Sequence, residues 1–473
     1  MDTINFIGRD RELGHMNNLY NQNGFKFLVV YGRRRVGKST LIDKFVQIDN
    51  KPAITYMAIE QNEKSNLKAF SEAILSRYPR AANYLTNFDD FDKAFDYIID
   101  QAGETKLVIS IDEYPYLALS NPSISSIFQR IIDTKLKKTN ITLILCGSSM
   151  SFMENQVLGY KSPLYGRRTA QYRILPLDYL ETAEYFGDIS LTDKALAYGI
   201  SGGVPLYMEM LKGVGTLEEN IIRQIFCQNG MLFEEPSNLL KQELREPAIY
   251  NAIITAIAEG ATRLSEIATK AGEEITLCSK YIAKLVSLHI VIKEKPVGDG
   301  NKKNSIYRLS DNLFRFWYRF VPMNKINIEY SSATQIYELK VKPHLSNYMG
   351  GIFEDICKQY LLMQNAQQNL PFVFDDIGRW WGGSSATKQQ VEIDLIAYTK
   401  DKAIFCECKW TNEKVDLPVF NSLVSKAGEF TQYPQKHYYL FAKSGFTKTV
   451  LDIAETRNDI KLVSLDNIYN TKI

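Results

Sequence analysis

Short apolar runs that end at glycine or at polar residues dominate the first third of the chain. The run at 25–31, Phe-Lys-Phe-Leu-Val-Val-Tyr, stops at Gly32, and comparable runs occupy 53–58, 107–111 and 141–146. Such runs are typical of buried parallel strands. Segments of helical periodicity lie between them. Strands that alternate with helices predict a doubly wound parallel sheet, whose ligands bind at the carboxyl ends of the strands.

The pattern becomes helical from 177 to 244, with one interruption at Ser201-Gly202-Gly203-Val204-Pro205, and this predicts a helical lid. From 248 to 320, three helical segments precede two short β-rich runs that flank a polar hairpin. The predicted helices span 249–259, 264–271 and 277–288, and the predicted strands span 290–293 and 305–309. Three helices followed by a hairpin predict a winged helix.

A polar stretch at 324–333 is predicted to be a linker, and a last α/β domain follows it. In that domain the pattern predicts a helix at 350–364, strands at 372–375, 391–398 and 403–409, a helix at 418–430 and a strand at 436–442. We therefore predict an α/β multidomain chain with a parallel-sheet core at 1–176, a lid at 177–246, a winged helix at 247–320, a linker at 321–340 and a C-terminal domain at 341–473.

A glycine-rich turn joins the first predicted strand to the helix at 39–46. Backbone amides in such a turn surround phosphates, a lysine meets the β and γ phosphates, and a hydroxyl binds magnesium. The position between a strand and a helix is the context that a P-loop requires. The turn therefore predicts a site for ATP and Mg²⁺, formed by Gly32, Arg33, Arg34, Arg35, Val36, Gly37, Lys38, Ser39 and Thr40.

Polar residues end two further predicted strands at the same edge of the sheet. The strand at 107–111 leads into Asp112 and Glu113, and the strand at 141–146 leads into Ser148 and Ser149. Asp112 is placed to hold the magnesium ion through water, and Glu113 is placed to polarise the water that attacks the γ phosphate. Ser148 suits a sensor of the γ phosphate, although a hydroxyl-rich turn explains the two serines equally well.

Two arginines and a glycine-proline segment are weaker candidates. Arg167 and Arg168 follow Pro163-Leu164-Tyr165-Gly166, and either one is a candidate for the cation that stabilises the transition state, from the same chain or from a neighbour. Solvated surface arginines are the alternative. Gly203 and Pro205 would serve as a hinge that lets the lid respond to nucleotide, or as a plain helix-breaking loop.

The composition of the chain argues against several classes of protein. A net charge of +2 over 473 residues gives no overall field that would indicate a nucleic-acid partner. The six cysteines show no Cys-x-x-Cys spacing and the chain has only four histidines, which argues against a zinc site or a disulfide framework. No apolar stretch reaches the ~18 residues of a membrane span. We expect a cytoplasmic protein with reduced thiols and no membrane contact.

These motifs resemble those of archaeal and bacterial P-loop ATPases of the extended AAA+/STAND class. The resemblance rests on Phe6-Ile7-Gly8-Arg9-Asp10-Arg11-Glu12-Leu13, on the P-loop, on Ile111-Asp112-Glu113, on Cys146-Gly147-Ser148-Ser149, on Pro163-Leu164-Tyr165-Gly166-Arg167-Arg168 and on Gly202-Gly203-Val204-Pro205. It implies a P-loop NTPase sheet with a helical lid, a winged helix after it and a C-terminal domain similar to the PD-(D/E)xK nucleases, a restriction-endonuclease-like fold.

Acidic and basic residues on the C-terminal strands fit that resemblance. Nucleases of the restriction type hold Mg²⁺ or Mn²⁺ between an Asp and a Glu on successive strands, with a Lys two residues after the Glu. Asp394, Glu407 and Lys409 stand at this spacing, and alternation along a strand places Glu407 and Lys409 on one face. Glu354 matches the family's glutamate on the first helix. Solvated strand carboxylates are the alternative, but their apolar neighbours indicate buried strands.

The predicted winged helix offers a second route to DNA. Lys280 and Lys284 lie four residues apart on one helix, and Lys302 and Lys303 lie at the hairpin tip. Because these positive charges are few, a winged helix that contacts another protein is nearly as well supported as one that binds DNA. The leading hypothesis is an ATP-driven or ATP-gated protein that binds or cleaves DNA. The alternative is a slow STAND-like switch that binds DNA or protein partners without cleavage. If Arg167 or Arg168 acts on the nucleotide of a neighbouring subunit, the protein must form a homo-oligomer.

Overall fold

The computed structural model describes residues 6–244, 246–298, 304–330, 332–383 and 389–471. The chain divides into two compact units. The first covers the chain up to Pro176 together with Val204–Leu206, and the second covers Leu177–Gly203 and the chain from Tyr207 onward. Among the residues that the structure describes, each helix is too short or too polar to cross a bilayer.

The first unit contains a five-stranded sheet with helices between its strands. The helices are α1 (Asp10–Asn21), α2 (Lys38–Gln47), α3 (Glu63–Arg77), α4 (Phe91–Ala102), α5 (Tyr114–Ser120), α6 (Ile124–Thr134) and α7 (Met150–Phe152), and the strands are β1 (Lys26–Tyr31), β2 (Ala53–Met57), β3 (Leu107–Asp112), β4 (Ile141–Gly147) and β5 (Ala170–Arg173). The strand order is β2-β3-β4-β1-β5, and each adjacent pair is parallel. The predicted parallel sheet is confirmed, and β5 is an addition.

Two hydrophobic clusters cover the two faces of this sheet. Phe27 and Val29 of β1 join one cluster, and Leu28 and Val30 join the other. Successive side chains of a strand point to opposite faces, so β1 is buried on both. Burying an apolar side chain of this size contributes about 1.5–3 kcal/mol. The continuous apolar run of β1 is therefore explained by a central position in the sheet.

The second unit begins with helices and a two-stranded hairpin. Its first elements are α8 (Tyr179–Phe186), α9 (Leu191–Ser201), α10 (Pro205–Leu211, whose start belongs to the first unit), α11 (Leu217–Ile225), α12 (Glu235–Glu243), α13 (Pro247–Ala258), α14 (Leu264–Ala271), α15 (Ile275–Ser287), β6 (Val291–Glu294) and β7 (Ile306–Leu309). β6 and β7 pair antiparallel. Three helices thus precede the hairpin in the predicted order.

The polar stretch predicted as a linker is largely helical. After α16 (Asn312–Phe320), a 3-10 turn at Pro322–Asn324 leads into α17 (Lys325–Tyr330) and α18 (Ala333–Ile336). Three apolar side chains within and just after this stretch, Ile328, Ile336 and Tyr337, are buried. Their burial anchors a segment whose other residues are polar, which explains why composition alone predicted a linker.

The last part of the unit is a mixed five-stranded sheet. Its elements are α19 (Leu345–Ala366), β8 (Asp376–Gly383), β9 (Gln390–Tyr398), β10 (Lys402–Lys409), α20 (Leu417–Gly428), β11 (Gln435–Ala442), α21 (Lys448–Thr456), β12 (Ile460–Ser464) and α22 (Leu465–Tyr469). The strand order is β12-β11-β10-β9-β8. The pairs among β8, β9 and β10 are antiparallel, and those among β10, β11 and β12 are parallel.

The strand predicted at 372–375 is wrong, because the chain is irregular there and β8 begins at Asp376. The backbone of Phe374 forms hydrogen bonds with a side chain and not with a neighbouring strand. Its N–H donates to Asn365 Oδ1 at 2.9 Å, and its carbonyl accepts from Asn365 Nδ2 at 3.3 Å. β8 itself lies at the edge of the sheet and ends in Gly382 and Gly383, so it lacks the apolar alternation that predicts a strand.

Candidate functional site

The P-loop follows β1 and depends on two glycines. A Cβ on Gly32 would lie 2.3 Å from the carbonyl oxygen of Ile174, so only glycine fits there without movement. Gly37 has φ +86°, a conformation that L side chains rarely adopt, and it forms the N-cap of α2. Val36 is fully buried and packs in the core, so it offers a ligand only its backbone. The loop therefore has the tight backbone that phosphate binding requires.

Lys38 is buried and folds back onto the loop. Its Nζ donates to the carbonyl oxygen of Arg33 at 2.9 Å. Burial lowers the pKa of Lys38, while the neighbouring groups Cys146, Glu113 and Asp112 act in the opposite direction. Lysine in this position lies at the first turn of α2, where the helix N-terminus also favours anions.

Ser39 and Asp112 form the candidate magnesium site. Ser39 Oγ donates to Asp112 Oδ2 at 2.5 Å, joining the start of α2 to the end of β3. A hydroxyl and a carboxylate oxygen this close are the hard donors that Mg²⁺ prefers, so these two residues fit the ion. Burial and the charge of Asp112 raise the pKa of Asp43 on the same helix, a neighbour that the motif did not indicate.

Glu113 is held in place by Ser148. Its carboxylate Oε2 accepts from Ser148 Oγ at 2.8 Å and from the Ser148 N–H at 3.2 Å. Glu113 itself has φ +48°, an unusual conformation for a residue with a side chain. The structure thus joins the ends of β3 and β4 through the two residues that the sequence singled out, whereas Ser149 begins α7 without a side-chain capping bond.

The predicted arginines lie in different surroundings. Arg167 donates to Asp133 Oδ2 from Nε at 2.9 Å and from Nη2 at 2.6 Å, and its Nη1 donates to the carbonyl oxygen of Pro163. Arg168 is half-buried near Tyr31, the residue before the P-loop. Burial and Glu154 raise the pKa of Tyr31, and the charges of Arg173 and Arg168 oppose that shift. Arg168 directly precedes β5, and the N–H of Thr169 donates to the carbonyl oxygen of Phe27, so the Arg168 backbone lies beside the start of β1 and only its side chain can extend towards the nucleotide edge.

The remaining P-loop residues and the proposed hinge have clear positions. Arg34 Nη2 donates to the hydroxyl of Tyr116 at 2.8 Å, a contact that no sequence signal indicated, whereas Ser39 and Thr40 are exposed. In the first unit, the Cγ of Pro205 lies 3.7 Å from the position that a Cβ on Gly37 would occupy. In the second unit, a Cβ on Gly203 would lie 1.8 Å from the carbonyl oxygen of Leu177. The hinge role of this segment stays a prediction.

The C-terminal sheet brings three of the four predicted residues together. Lys409 Nζ donates to Glu407 Oε1 at 2.6 Å, so the two residues share a face of β10 as predicted. Asp394 on β9 accepts at Oδ2 from the N–H of Cys408 at 2.7 Å. Lys426 on α20, which the sequence did not indicate, donates to Glu407 Oε2 at 3.4 Å.

Charges in this cluster act on one another. Burial and the carboxylates of Glu407 and Glu354 raise the pKa of Asp394 to about 7, against the opposing effects of the Cys408 N–H and Lys409. Burial opposes the charged form of Lys409, but its hydrogen bond to Glu407 and the negative charges of Glu407 and Asp394 outweigh that effect and raise its pKa. Crowded carboxylates of this kind are stabilised by an added cation.

Glu354 does not join the other carboxylates as a ready ligand. Its Oε2 accepts from Arg379 Nε at 2.5 Å. Within the described residues, no group of three or more His, Cys, Asp or Glu side chains is arranged to hold a metal ion. Arg379 engages Glu354, whose charge still acts on Asp394, so the role of Glu354 as a third ligand beside Asp394 and Glu407 stays a prediction. Asp394 and Glu407 remain as oxygen donors of the type that suits Mg²⁺ or Mn²⁺.

A partly buried charge network links the β6–β7 hairpin to the C-terminal sheet. Arg308 on β7 contacts Glu294 on β6 at 2.8 Å and Asp355 on α19 at 3.1 Å. The network has three cations and three anions, namely Arg308, Arg315, Arg379, Glu294, Glu354 and Asp355. The loop between β6 and β7 also bonds the edge strand β8, since the N–H of Val297 donates to the carbonyl oxygen of Arg379 at 2.9 Å.

The predicted DNA contacts of the helical part are only partly described. Lys280 on α15 is exposed and Lys284 on the same helix is half-buried, beside the exposed apolar side chains Ile275 and Leu277. Lys302 and Lys303 lie outside the described residues.

Comparison with known proteins identifies the family. A model of an ATPase domain found predominantly in Archaea matches residues 6–211, and a model of archaeal and bacterial proteins of unknown function matches residues 317–418. The uncharacterized protein MJECL04 of Methanocaldococcus jannaschii is 33% identical over 413 residues, which cover 86% of this chain and 88% of that protein. An uncharacterized ATP-binding protein of the same organism, MJ0423, is 41% identical over 44 residues, which cover 9% of this chain and 75% of that protein.

A solved structure shares the fold. The Walker-type ATPase PABY2304 of Pyrococcus abyssi is similar with a TM-score of 0.50 at 18% identity, over 66% of this chain and 96% of that one. The P-loop after β1, the parallel sheet and the matching ATPase domain agree with one another. This chain therefore belongs to the family of P-loop ATPases that is found predominantly in Archaea.

Proposed function

We propose that this ATPase couples its nucleotide state to a metal-dependent site in the C-terminal sheet that binds and cleaves DNA. The observation that carries the proposal is the contact set around Glu407. Lys409 binds Glu407, and Asp394 binds the amide of the residue between them. Two carboxylates and a lysine on neighbouring strands are the groups that phosphodiester hydrolysis with a divalent cation requires.

At the P-loop, each residue has a role in ATP hydrolysis. Lys38 binds the β and γ phosphates, and Ser39 with Asp112 holds Mg²⁺. Glu113 orients the attacking water, and Ser148 fixes the Glu113 carboxylate for that task. Arg168 is favoured over Arg167 as the cation that stabilises the transition state, because Asp133 and two loop carbonyls already bind Arg167.

At the C-terminal site, Asp394 and Glu407 would hold the divalent cation. When bound, that cation supplies charge stabilisation at the phosphate and lowers the pKa of a bound water. The hydrogen bond from the Cys408 N–H keeps Asp394 beside β10. Lys409 presents a positive charge at the phosphate, and its partner Glu407 keeps the ammonium ion protonated.

We further propose that residues 247–320 form a winged helix and that α15 is its DNA-binding element. The loop between β6 and β7 bonds β8 at both ends: the N–H of Val297 donates to the carbonyl oxygen of Arg379, and Trp381 Nε1 of β8 donates to the carbonyl oxygen of Asn304. The two ends of the loop between β6 and β7 therefore serve an internal contact, whereas Lys280 of α15 is exposed. Lysines on one helix meet phosphates without reading sequence.

The test compares the wild type with Lys38→Ala and Asp394→Ala in two assays. One assay measures ATP turnover with Mg²⁺, and the other measures cleavage of duplex, single-stranded and branched DNA with Mg²⁺ or Mn²⁺. We expect Lys38→Ala to lose turnover, and Asp394→Ala to lose cleavage but keep turnover. The control is Asp452→Asn, which changes an exposed carboxylate on α21. Cleavage that survives Asp394→Ala would remove the nuclease assignment.

A second candidate is a slow STAND-like switch that binds a partner without cleavage. The contact between Glu354 and Arg379 favours it, because a set of two carboxylates holds a cation less tightly than a set of three. Tightly bound nucleotide, slow turnover and intact DNA after incubation with Mn²⁺ would support this function. Mass measured with and without ATP tests whether the protein forms the homo-oligomer that an arginine acting on a neighbouring subunit requires.

A further inference from the structure

Glu407 has an ammonium group on each of its carboxylate oxygens. Oε1 accepts from Lys409 at 2.6 Å, and Oε2 accepts from Lys426 at 3.4 Å. The Glu407 side chain is 8% exposed, and the two lysines are 34% and 27% exposed. The two lysines belong to different elements, since Lys409 ends β10 and Lys426 lies in the last turn of α20. A buried carboxylate is thus shared between two partly solvated cations.

Two ammonium groups already lie near the two carboxylates of this site. Asp394 and Glu407 supply two carboxylates, and Lys409 and Lys426 supply two ammonium groups. A divalent cation adds two positive charges to this set, so its binding is favoured when an ammonium group moves away or a new anion enters. A phosphodiester is the anion that the proposed reaction brings, and its negative charge increases as the phosphorus is attacked.

The two lysines are not equally fixed. Lys409 is two residues from Glu407 on the same strand, so the strand itself holds the pair together. Lys426 reaches Glu407 across 19 sequence positions on a flexible four-carbon stem, and its contact is the longer one. A metal ion that binds Glu407 at Oε2 therefore breaks the weaker of the two ion pairs, and Lys426 is the group that it displaces.

We infer that Lys426 is an exchangeable counter-ion, which a divalent cation displaces from Glu407 and which then binds the phosphate of the DNA substrate. This inference rests on the proposed C-terminal site. It assigns Lys426 two opposite effects, because the ammonium group competes with the metal ion for Glu407 but attracts the DNA. A residue that merely supports the fold would affect both steps in the same direction.

The test measures Mn²⁺ affinity without DNA by calorimetry, and DNA affinity with Ca²⁺ by the anisotropy of a short labelled duplex and its single strand. Lys426→Met keeps the apolar stem and removes the charge, Lys426→Arg keeps the charge, and Lys448→Met removes an exposed lysine from α21 as the control. From the strength of a partly exposed ion pair, we expect Lys426→Met to bind Mn²⁺ about two- to fivefold more tightly and DNA about fivefold more weakly. Lys426→Arg should restore DNA affinity, and Lys448→Met should change neither.

Three outcomes would overturn the inference. If Lys426→Met weakens Mn²⁺ binding and lowers the melting temperature together, Lys426 is structural. If the wild type binds Mn²⁺ through Asp394 and Lys426→Met has the affinities of the wild type, the inference fails and the proposed metal site stands. If the wild type binds no Mn²⁺, the proposed site and the inference fail together, and the Asp394→Ala variant then behaves as the wild type does.

Discussion

Arg379 on β8 binds Glu354 on α19, with 2.5 Å between the guanidinium Nε and the carboxylate Oε2. Arg379 also contacts Glu294 at 3.4 Å and Asp355 at 3.3 Å. The pair gives Glu354 a cationic partner, although its charge still acts on Asp394. Glu354 is one anion of a balanced network that holds the β6–β7 hairpin, α16 and α19 to the edge of the C-terminal sheet.

The first prediction separates this structural function from metal binding. Glu354→Gln should destabilise the second unit by about 1–3 kcal/mol, because it leaves part of the charge of Arg379 uncompensated. It should change Mn²⁺ affinity less than about threefold, whereas Glu407→Gln should lower that affinity at least tenfold, since it removes a charged donor. Urea unfolding and calorimetry measure the two effects. A loss of Mn²⁺ affinity in Glu354→Gln equal to that in Glu407→Gln would return Glu354 to the ligand set.

The second prediction concerns acid stability and Asp355. Burial favours the neutral acid, but Arg308, Arg379 and Arg315 outweigh it and hold the pKa of Asp355 well below its usual range. A carboxyl group whose pKa is lowered by folding contributes stability that is complete above its unfolded pKa of about 4 and is lost as the pH falls towards the folded value. Asp355→Asn should therefore cost about 2–4 kcal/mol at neutral pH and show a weaker fall in stability below about pH 4 than the wild type.

Thermal unfolding of the wild type, Asp355→Asn and the exposed control Asp452→Asn, followed from pH 7 to pH 3, measures this difference. The control should follow the wild type throughout. Equal acid sensitivity in the wild type and Asp355→Asn would show that the network does not depend on the charge of Asp355.

Most of the strands that the sequence predicted in the first unit are buried on both faces along their whole length. β1, β3 and β4 are buried along their whole length, so each appears as an apolar run ending near a ligand-binding residue. β5 at the edge of the first sheet has four residues of which only Tyr172 is buried, and no run marks it. Edge strands are hard to predict from sequence because their hydrophobic pattern depends on neighbours that are distant in sequence.

The same limit applies to the sites. The P-loop contacts lie within a short motif or at a strand end, and the residues Lys38, Ser39, Asp112 and Glu113 were all predicted. The partners that modify the C-terminal site, Arg379 and Lys426, come from other elements. Nothing in the local pattern of α20 distinguishes Lys426 from a solvated lysine. Only the fold brings it to Glu407.

The third prediction uses two glycines with the same backbone angle. Gly24 and Gly37 both have φ +86°, but Gly24 lies before β1 with nothing within 4 Å of an added Cβ, and Gly37 closes the P-loop. Alanine at either position should cost about 1–2 kcal/mol of stability, since both force a side chain into the left-handed region. Only Gly37→Ala should lower ATP affinity, by at least tenfold, because its strain moves the amides that bind phosphate. Fluorescent-nucleotide titration measures ATP affinity, and thermal melting measures stability. An equal loss of ATP affinity in Gly24→Ala would show that lower stability alone explains the loss in Gly37→Ala.

The last prediction tests how Glu113 is held for ATP hydrolysis. Ser148 binds its carboxylate through both the hydroxyl and the backbone N–H, and the neighbouring Ser149 provides a matched control at the start of α7. Glu113→Gln should bind ATP but lower kcat at least a hundredfold, because it removes the group that orients the water. Ser148→Ala should lower kcat about three- to tenfold with little change in KM, since the N–H bond remains and one bond to a charged group is lost. Ser149→Ala should retain the kcat of the wild type. If the two serine variants lose equal activity, the hydroxyl of Ser148 does not position Glu113, and the strand end contributes only its backbone.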